Sequence, residues 1–267
     1  MIRVAVTGAA GRMGREIIRV VSETEGVTLA GAVERPGHPA VGEDAGNVGG
    51  LGSLGVRIAQ GLEAVLPTSE VVIDFTTPAA SLEHAEAVRQ AGRAIVIGST
   101  GFTAEQKEAV RRTSVGARVF LAPNMSVGVN VLFKVVGDVA RLLGDGYDVE
   151  ILETHHRFKK DAPSGTALGL AEAVARALGR DLDADAVYGR RGMPGERRSN
   201  EIGIHAIRSG DVVGDHTVLF GGLGERIEIT HKASSRETFA RGAVRAAAWL
   251  PSQPPGLYDM MDLLGLR

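Results

Sequence analysis

Between Glu153 and Thr166 the chain reads Glu-Thr-His-His-Arg-Phe-Lys-Lys-Asp-Ala-Pro-Ser-Gly-Thr. Two adjacent histidines, His155 and His156, leave an apolar β-type run, Tyr147 to Thr154, and meet three cations, Arg157, Lys159 and Lys160. Pro163 or Ser164 is placed to open a helix over residues 165–178. A strand end, a polar loop and a helix N-terminus in succession gather proton donors, positive charge and backbone N–H groups at one point. Such a point suits a small anionic substrate that must receive a proton. Paired histidines and basic runs in loops are commonly no more than solvated connections. Here the cations fall in the link between two apolar elements, where structure alone has little use for so many, and loops on rigid scaffolds often carry function. A metal is not expected, because His155 and His156, adjacent on a strand, point to opposite faces.

The elements that must position this stretch belong to a chain of 267 residues, enough for one large domain or two modest ones. Thirty basic and thirty-two acidic residues leave a net charge of −2, which argues against a nucleic-acid partner held by bulk electrostatics. Any anion site must therefore be local. With no cysteine there are no disulfides and no thiolate metal sites. No apolar run reaches the ~18 residues of a membrane span, and the first strand starts at Ile2 with no leader, so a cytoplasmic location is expected.

The first half alternates strand and helix. Ile2 to Thr7 reads as a buried strand, Gly8-Ala-Ala-Gly-Arg-Met-Gly14 as a glycine-rich turn, residues 15–23 as a helix and Val27 to Val33 as a second strand ending in Glu34-Arg35. This is a βαβ unit with a phosphate-binding turn, and Glu34, twenty residues after Gly14, is placed to bind ribose hydroxyls. The spacing is G-x-x-G-x-x-G, since position 10 is alanine. A glutamate favours NADH through the ribose diol, whereas Arg35 beside it can pair with the 2′-phosphate of NADPH, so use of both cofactors is expected. Further strand ends carry Thr76-Thr77, Ser99-Thr100 and Asn124, and Thr103 with Gln106 reads as a capping box. Each is individually more typical of a helix cap than of a ligand; their recurrence favours a nicotinamide and ribose site at the carboxyl ends of the strands.

From Ser126 the pattern changes. A long apolar helix over 127–143 precedes the strand that carries the histidines, and a polar segment, 179–200, reads as a mobile loop or a lid. Three strand-like runs follow, 201–208, 212–220 and 225–231, with Gly210-Asp211 as a hairpin signal and Gly221 to Gly224 as a second turn. The expected class is α/β: a Rossmann-like doubly wound parallel sheet plus a second α+β domain with a mainly antiparallel sheet. The dinucleotide-binding domain is expected over 1–126 and 235–267, including a final helix over 235–250. The substrate-binding and oligomerisation domain is expected over 127–234.

The chain resembles the 4-hydroxy-tetrahydrodipicolinate reductases, long called dihydrodipicolinate reductases, of the diaminopimelate route to lysine. The resemblance spans nearly the whole length. It rests on Gly8 to Gly14, Val72-Ile-Asp-Phe-Thr76, Val96 to Gly101, Asn124 to Asn130, His155 to Lys159 with Asp161 to Thr166, and Ile229-Thr-His-Lys-Ala-Ser-Ser-Arg236. It implies that NADH or NADPH gives a hydride to C4 of a cyclic unsaturated imine, formed as the hydroxylated substrate loses water. It implies His155 and Lys159 as the proton-donating pair, and His156, Ser164, Gly165 and Thr166 on the carboxylates of a small dicarboxylate. For the cofactor it implies Gly8, Ala9, Ala10, Gly11, Arg12 and Met13, then Glu34 and Arg35, then Gly98, Ser99 and Thr100, then Ala122, Pro123, Asn124 and Met125. It further implies a homotetramer. The residues by themselves leave open a dehydrogenase of another small dicarboxylate and a non-catalytic NAD(P)-sensing protein.

Overall fold

The computed structural model describes all residues from Met1 to Arg267. In chain order the elements are β1 (Ile2–Thr7), α1 (Arg12–Glu23), β2 (Val27–Glu34), α2 (Ala45–Gly49), β3 (Ile58–Gln60), β4 (Val71–Asp74), α3 (Pro78–Gln90), β5 (Ala94–Ile97), α4 (Ala104–Ser114) and β6 (Arg118–Leu121). Next come α5 (Val127–Leu143), β7 (Asp148–His155), α6 (Gly165–Leu178), α7 (Leu182–Asp185), β8 (Ala186–Tyr188), β9 (Ile202–Arg208), β10 (Gly214–Gly221) and β11 (Arg226–Ala233). The chain closes with α8 (Glu237–Trp249), β12 (Gly256–Tyr258) and α9 (Met260–Leu264). They divide into two compact units, one of residues 1–127, 237–265 and 267, the other of 128–236 and 266.

The first unit is a seven-stranded parallel sheet in the order β12-β6-β5-β4-β1-β2-β3. Strand order reverses at β1, the point where such sheets bind dinucleotides beyond the carboxyl ends of their strands. All four residues of β4 and of β5 are buried, as expected of strands covered by helices on both faces. Two apolar clusters form, one around Ile17, Ile73, Phe120 and Val244, the other around Val72, Ile95, Val110 and Val119. Thr77 caps α3 with Pro78 at its first turn, and α4 opens on the Thr103–Gln106 capping box. The excursion after β2 is ordered by Asp44, whose carboxylate accepts from the N–H groups of Gly46, Asn47, Leu54 and Gly55.

The second unit is a five-stranded sheet in the order β11-β10-β7-β9-β8. The pairings β10–β11 and β10–β7 are antiparallel, whereas β7–β9 and β9–β8 are parallel. The hairpin expected at Gly210-Asp211 is therefore not formed. Gly210 does turn the chain (φ +50°), but β7 lies between β9 and β10, and the link of 209–213 crosses the end of β7. Ser209 N–H donates to the His155 carbonyl (2.8 Å) and Arg157 N–H to the Gly210 carbonyl (3.1 Å). A local turn signal does not say which strands pair. One face of the sheet packs against a cluster that includes Leu132 and Val136 of α5 and Leu170 and Val174 of α6.

Two element boundaries also differ from expectation. Helix α1 starts at Arg12, so Met13 and Gly14 belong to its first turn rather than to the loop. The 179–200 segment contains α7 and β8, and its remainder is tied down by arginines. Arg197 donates to Asp148, Glu150 and the carbonyls of Val149 and Glu201, and Arg190 forks onto Glu150.

Candidate active site

Strand β7 alternates buried and half-buried residues, which places Val149, Ile151, Glu153 and His155 on its inner face. The first two join the apolar cluster; the last two are polar and must find partners there. His155 Nδ1 lies 2.6 Å from Glu153 Oε2. Arg208, in register with His155 on β9, forks onto both oxygens of Glu153 at 2.8 and 3.0 Å. The backbone N–H of Ser164, the N-cap of α6, donates to Glu153 Oε1 at 3.0 Å. Ser164 Oγ accepts from Ala167 N–H (3.1 Å) and meets His216 Nε2 at 3.0 Å. His216, paired with Glu153 across β10, packs edge-on against the His155 ring with centroids 5.1 Å apart. Lys159 Nζ is held by both oxygens of Asp161, at 2.7 and 2.9 Å, and Arg208 also donates to the Asp161 carbonyl.

The electrostatics follow from burial. Burial drives the His155 pKa below its usual value; Glu153 opposes this, while Lys159 and Arg208 add to it. His216 is pushed by burial down to about 4, and the His155 beside it acts in the same direction. Burial pushes Glu153 upward, but hydrogen bonds from Arg208 and His155 outweigh it and the net shift is downward. The result is an ionised carboxylate beside two histidines that are neutral near pH 7, with a lysine cation close by.

In the first unit the glycine turn is shaped for an anion. Gly8 is left-handed at φ +61°, and a Cβ on Gly14 would stand 2.1 Å from the Gly8 carbonyl oxygen, so only glycine lets the helix approach its own turn. Helix α1 has Gly11 as N-cap, no capping side chain and no acidic residue in its first turn. Its leading amides suit the pyrophosphate of a dinucleotide. The Thr7 hydroxyl, at the strand-order switch, is buried without a partner. Glu34 Oε1 accepts from Ala10 N–H at 3.0 Å and Oε2 from Arg35 N–H at 3.2 Å. The Glu34 carboxylate thereby locks to the turn, while the Arg35 side chain is exposed. These residues fit a pyridine nucleotide.

The structure sorts the expected residues. Gly8, Ala9, Ala10, Gly11, Arg12, Met13, Glu34 and Arg35 come together at the turn, but Ala9 and Ala10 have buried side chains and offer only their backbones. Several strand-end polar groups have structural partners. Thr76 donates to Asp74, Thr77 caps α3, Ser99 meets Ser81 Oγ at 2.9 Å, and Asn124 accepts from Ser126 N–H. Gly98 bonds to Asp74 and Ala122 to Ile97 through their backbones; Met125 is buried, and Thr100 and Pro123 are exposed. His155, Lys159 and Ser164 gather around Glu153 and Asp161. His156 follows the end of β7, half-buried, with its ring 6.3 Å from Phe158 and its Nδ1 buried without a hydrogen-bond partner. Gly165 and Thr166 form the first turn of α6. Glu153, Arg208 and His216 are functional candidates that the sequence alone does not single out. Glu153 was legible in principle, two residues before His155 on the same strand face; the other two reach it only through sheet register.

A Rossmann-type sheet with a nucleotide turn, in a chain whose second unit bears buried titratable groups, is the make-up of an oxidoreductase. The N-terminal model of dihydrodipicolinate reductase matches residues 2–125 and the C-terminal model residues 128–264. The chain belongs to the dihydrodipicolinate reductase family. It is 57% identical over 267 residues to a 4-hydroxy-tetrahydrodipicolinate reductase of Geotalea uraniireducens, covering all of both chains. Identity is 59% over 268 residues to one of Anaeromyxobacter dehalogenans, covering all of this chain and 99% of that one. Among solved structures, a dipicolinate-bound dihydrodipicolinate reductase from Paenisporosarcina sp. TG-14 superposes with a TM-score of 0.76 at 28% identity, over 98% of each chain.

The His216 shift has a consequence for stability. Its folded pKa of about 4 lies below the unfolded value of ~6.5. As pH falls below 6.5 the unfolded chain takes up a proton that the folded ring refuses, so stability present above pH 6.5 is lost progressively toward pH 4. The linkage is on the order of 3 kcal/mol. In urea titrations at pH 7 and pH 4.5, His216→Asn is expected to lose less stability on acidification than the parent; an equal loss would show that His216 does not titrate in this way.

Proposed function

We infer that this chain catalyses the reduction of 4-hydroxy-tetrahydrodipicolinate by NAD(P)H to tetrahydrodipicolinate, with release of water, in the diaminopimelate route to lysine. The observation that carries this reading is full-length membership of the family together with the His155–Glu153–Arg208 group next to Lys159. The nucleotide, when bound, supplies a hydride. The chain's own residues supply the rest: the enamine carbon left after hydride addition at C4 must be protonated, and His155 and Lys159 are the groups assigned to that proton. His156, with Ser164, Gly165 and Thr166 at the start of α6, is assigned to the two carboxylates. Apart from its chain neighbours and its own helix backbone, nothing lies within 4 Å of where a Gly165 Cβ would stand, so an anion has room to approach that helix end.

The reading is tested by generating the substrate in place from pyruvate and aspartate semialdehyde with the upstream synthase and following loss of NADH and NADPH. Synthase-dependent oxidation is expected. His155→Ala and Lys159→Ala are each expected to lower kcat by about 10²-fold or more with nucleotide affinity nearly unchanged. Nucleotide binding without turnover in the parent would instead favour a sensing protein, and turnover only with other dicarboxylates a different dehydrogenase.

Both nucleotides are proposed as cofactors. Glu34, facing the turn, suits the ribose diol, and the Arg35 guanidinium, exposed and without an ion-pair partner, suits a 2′-phosphate. Arg35→Ala is therefore expected to raise the KM for NADPH about tenfold while leaving that for NADH within about twofold. Equal changes for both would remove Arg35 from the selection.

The second unit is proposed to mediate a homotetramer in a cytoplasmic enzyme. Leu152, Ile207 and Leu219 are incompletely buried on the sheet face opposite the apolar cluster, flanked by the bonded Thr217–Thr230 pair. A partly exposed apolar surface of this kind suits association through a sheet face. Light scattering should return about four times the 27.9 kDa chain mass; a monomer mass would remove the proposal.

A further inference from the structure

Glu153 is fully buried, and every acceptor position of its carboxylate is in use. Oε2 accepts from His155 Nδ1–H (2.6 Å) and Arg208 Nη1–H (2.8 Å); Oε1 accepts from Ser164 N–H (3.0 Å) and Arg208 Nη2–H (3.0 Å). A carboxylate offers about four lone-pair sites, and an ionised one only accepts. With Arg208 and a backbone amide as fixed donors, the carboxylate has no proton of its own to offer His155. The ring nitrogen facing it must carry the hydrogen. In the neutral ring, Nε2 is then bare.

Two other contacts hold His155 in place. His216 stands edge-on at an interplanar angle of 75°. The backbone of His155 is pinned by Ser209 N–H. On the Nε2 side lies Gly214, where a Cβ would stand 3.0 Å from Nε2, so its lack of a side chain leaves that nitrogen uncovered.

We propose that Glu153 is a positioning residue for the reduction, holding His155 in the tautomer with hydrogen on Nδ1 and a bare Nε2, while Arg208 keeps the carboxylate in place. The proposal rests on the reading of His155 as a proton-transfer group. Nε2 becomes the one ring atom free to take up or pass on a proton. The charged and titratable groups facing the ring are Glu153 on β7, Arg208 at the end of β9, Lys159 in the loop after β7, paired to Asp161, and His216 on β10, with His231 of β11 behind it. Among the charges that act most strongly on the ring, Glu153 favours the imidazolium while Lys159 and Arg208 oppose it. Loss of the Glu153 charge removes the main group favouring protonation, and His155 would then protonate only at lower pH.

The test is the steady-state pH profile of the full-length enzyme, with substrate generated in place and NADH oxidation followed, for the parent, Glu153→Gln, Glu153→Asp, Arg208→Lys and His155→Ala. A glutamine presents its NH2 group to one of two donor pairs, so Arg208 loses one of its two acceptors together with either the Ser164 amide or His155. For Glu153→Gln, kcat is expected to fall on the order of 10²-fold, with the KM for NADH within about twofold, and the limb of the profile set by His155 is expected to move to lower pH. Glu153→Asp keeps the charge but is one methylene short, so kcat should fall while the limb stays. Parental kcat in Glu153→Gln, or a loss uniform across pH with the limb unmoved, overturns the proposal. If Glu153→Gln does not fold, Arg208→Lys decides. It keeps the charge but loses the fork, and a fall in kcat at unchanged KM for NADH supports the proposal, whereas parental kcat overturns it. His155→Ala separates the two levels: full activity there sinks the reading of the site itself, while collapse there with an unaffected Glu153→Gln sinks only the role of Glu153.

Discussion

An ionised carboxylate without solvent is tolerable only when its lone pairs are filled, and the second unit is built around meeting that condition at Glu153. Desolvating a charge costs several kcal/mol even after relaxation, and losing one partner of a buried pair typically costs about 3–5 kcal/mol. The four hydrogen bonds to Glu153 come from three separate places: its own strand through His155, the end of β9 through two bonds from Arg208, and the N-cap of α6 through the Ser164 amide. The carboxylate thus fixes where β9 ends and where α6 begins. The cationic loop of 156–163 is strung between the end of β7 and that helix start, and Lys159 is delivered beside His155 as a consequence of chain connectivity.

The first unit meets a different constraint. A parallel sheet presents all its strand ends on one edge, and the glycine turn after β1 must bring a helix N-terminus close enough to use its amides. Gly14 permits that approach and Glu34 ties the turn back to the end of β2. One carboxylate here acts on backbone, the other on a titratable ring. The first sets shape, and the second sets both shape and charge.

Local signals were legible in the sequence where the chemistry was local. The Thr103–Gln106 box, the Ser164 cap and the limits of α5 and α6 follow from residues within a few positions of one another. The nucleotide turn was legible for the same reason, although α1 absorbs Met13 and Gly14, because glycine inside a first turn reads as loop until its packing is known. What was not legible was long-range register. Gly210-Asp211 carries a hairpin signal, and the chain does turn there, but β7 occupies the space between the two strands it was expected to join. That insertion brings Arg208 and His216 to opposite flanks of β7, so the two residues that complete the site could not be read from spacing.

Strand β7 carries a second glutamate, Glu150, on the face opposite Glu153, and the comparison shows how a central strand can organise both sides of a sheet. Glu150 accepts from Arg190, Arg197 and His205; burial pushes its pKa up, but these partners hold it well below the usual range. Its donors come from the segment after β8 and from β9, so this carboxylate orders the long connection that composition alone reads as mobile. Because successive side chains alternate faces, the odd spacing of three residues between the two glutamates is what sends them to opposite sides. A spacing of two or four would place both charges on one face, competing for the same arginines. One glutamate thereby secures a connection and the other meets a histidine, each bonded to its own set of partners on its own face.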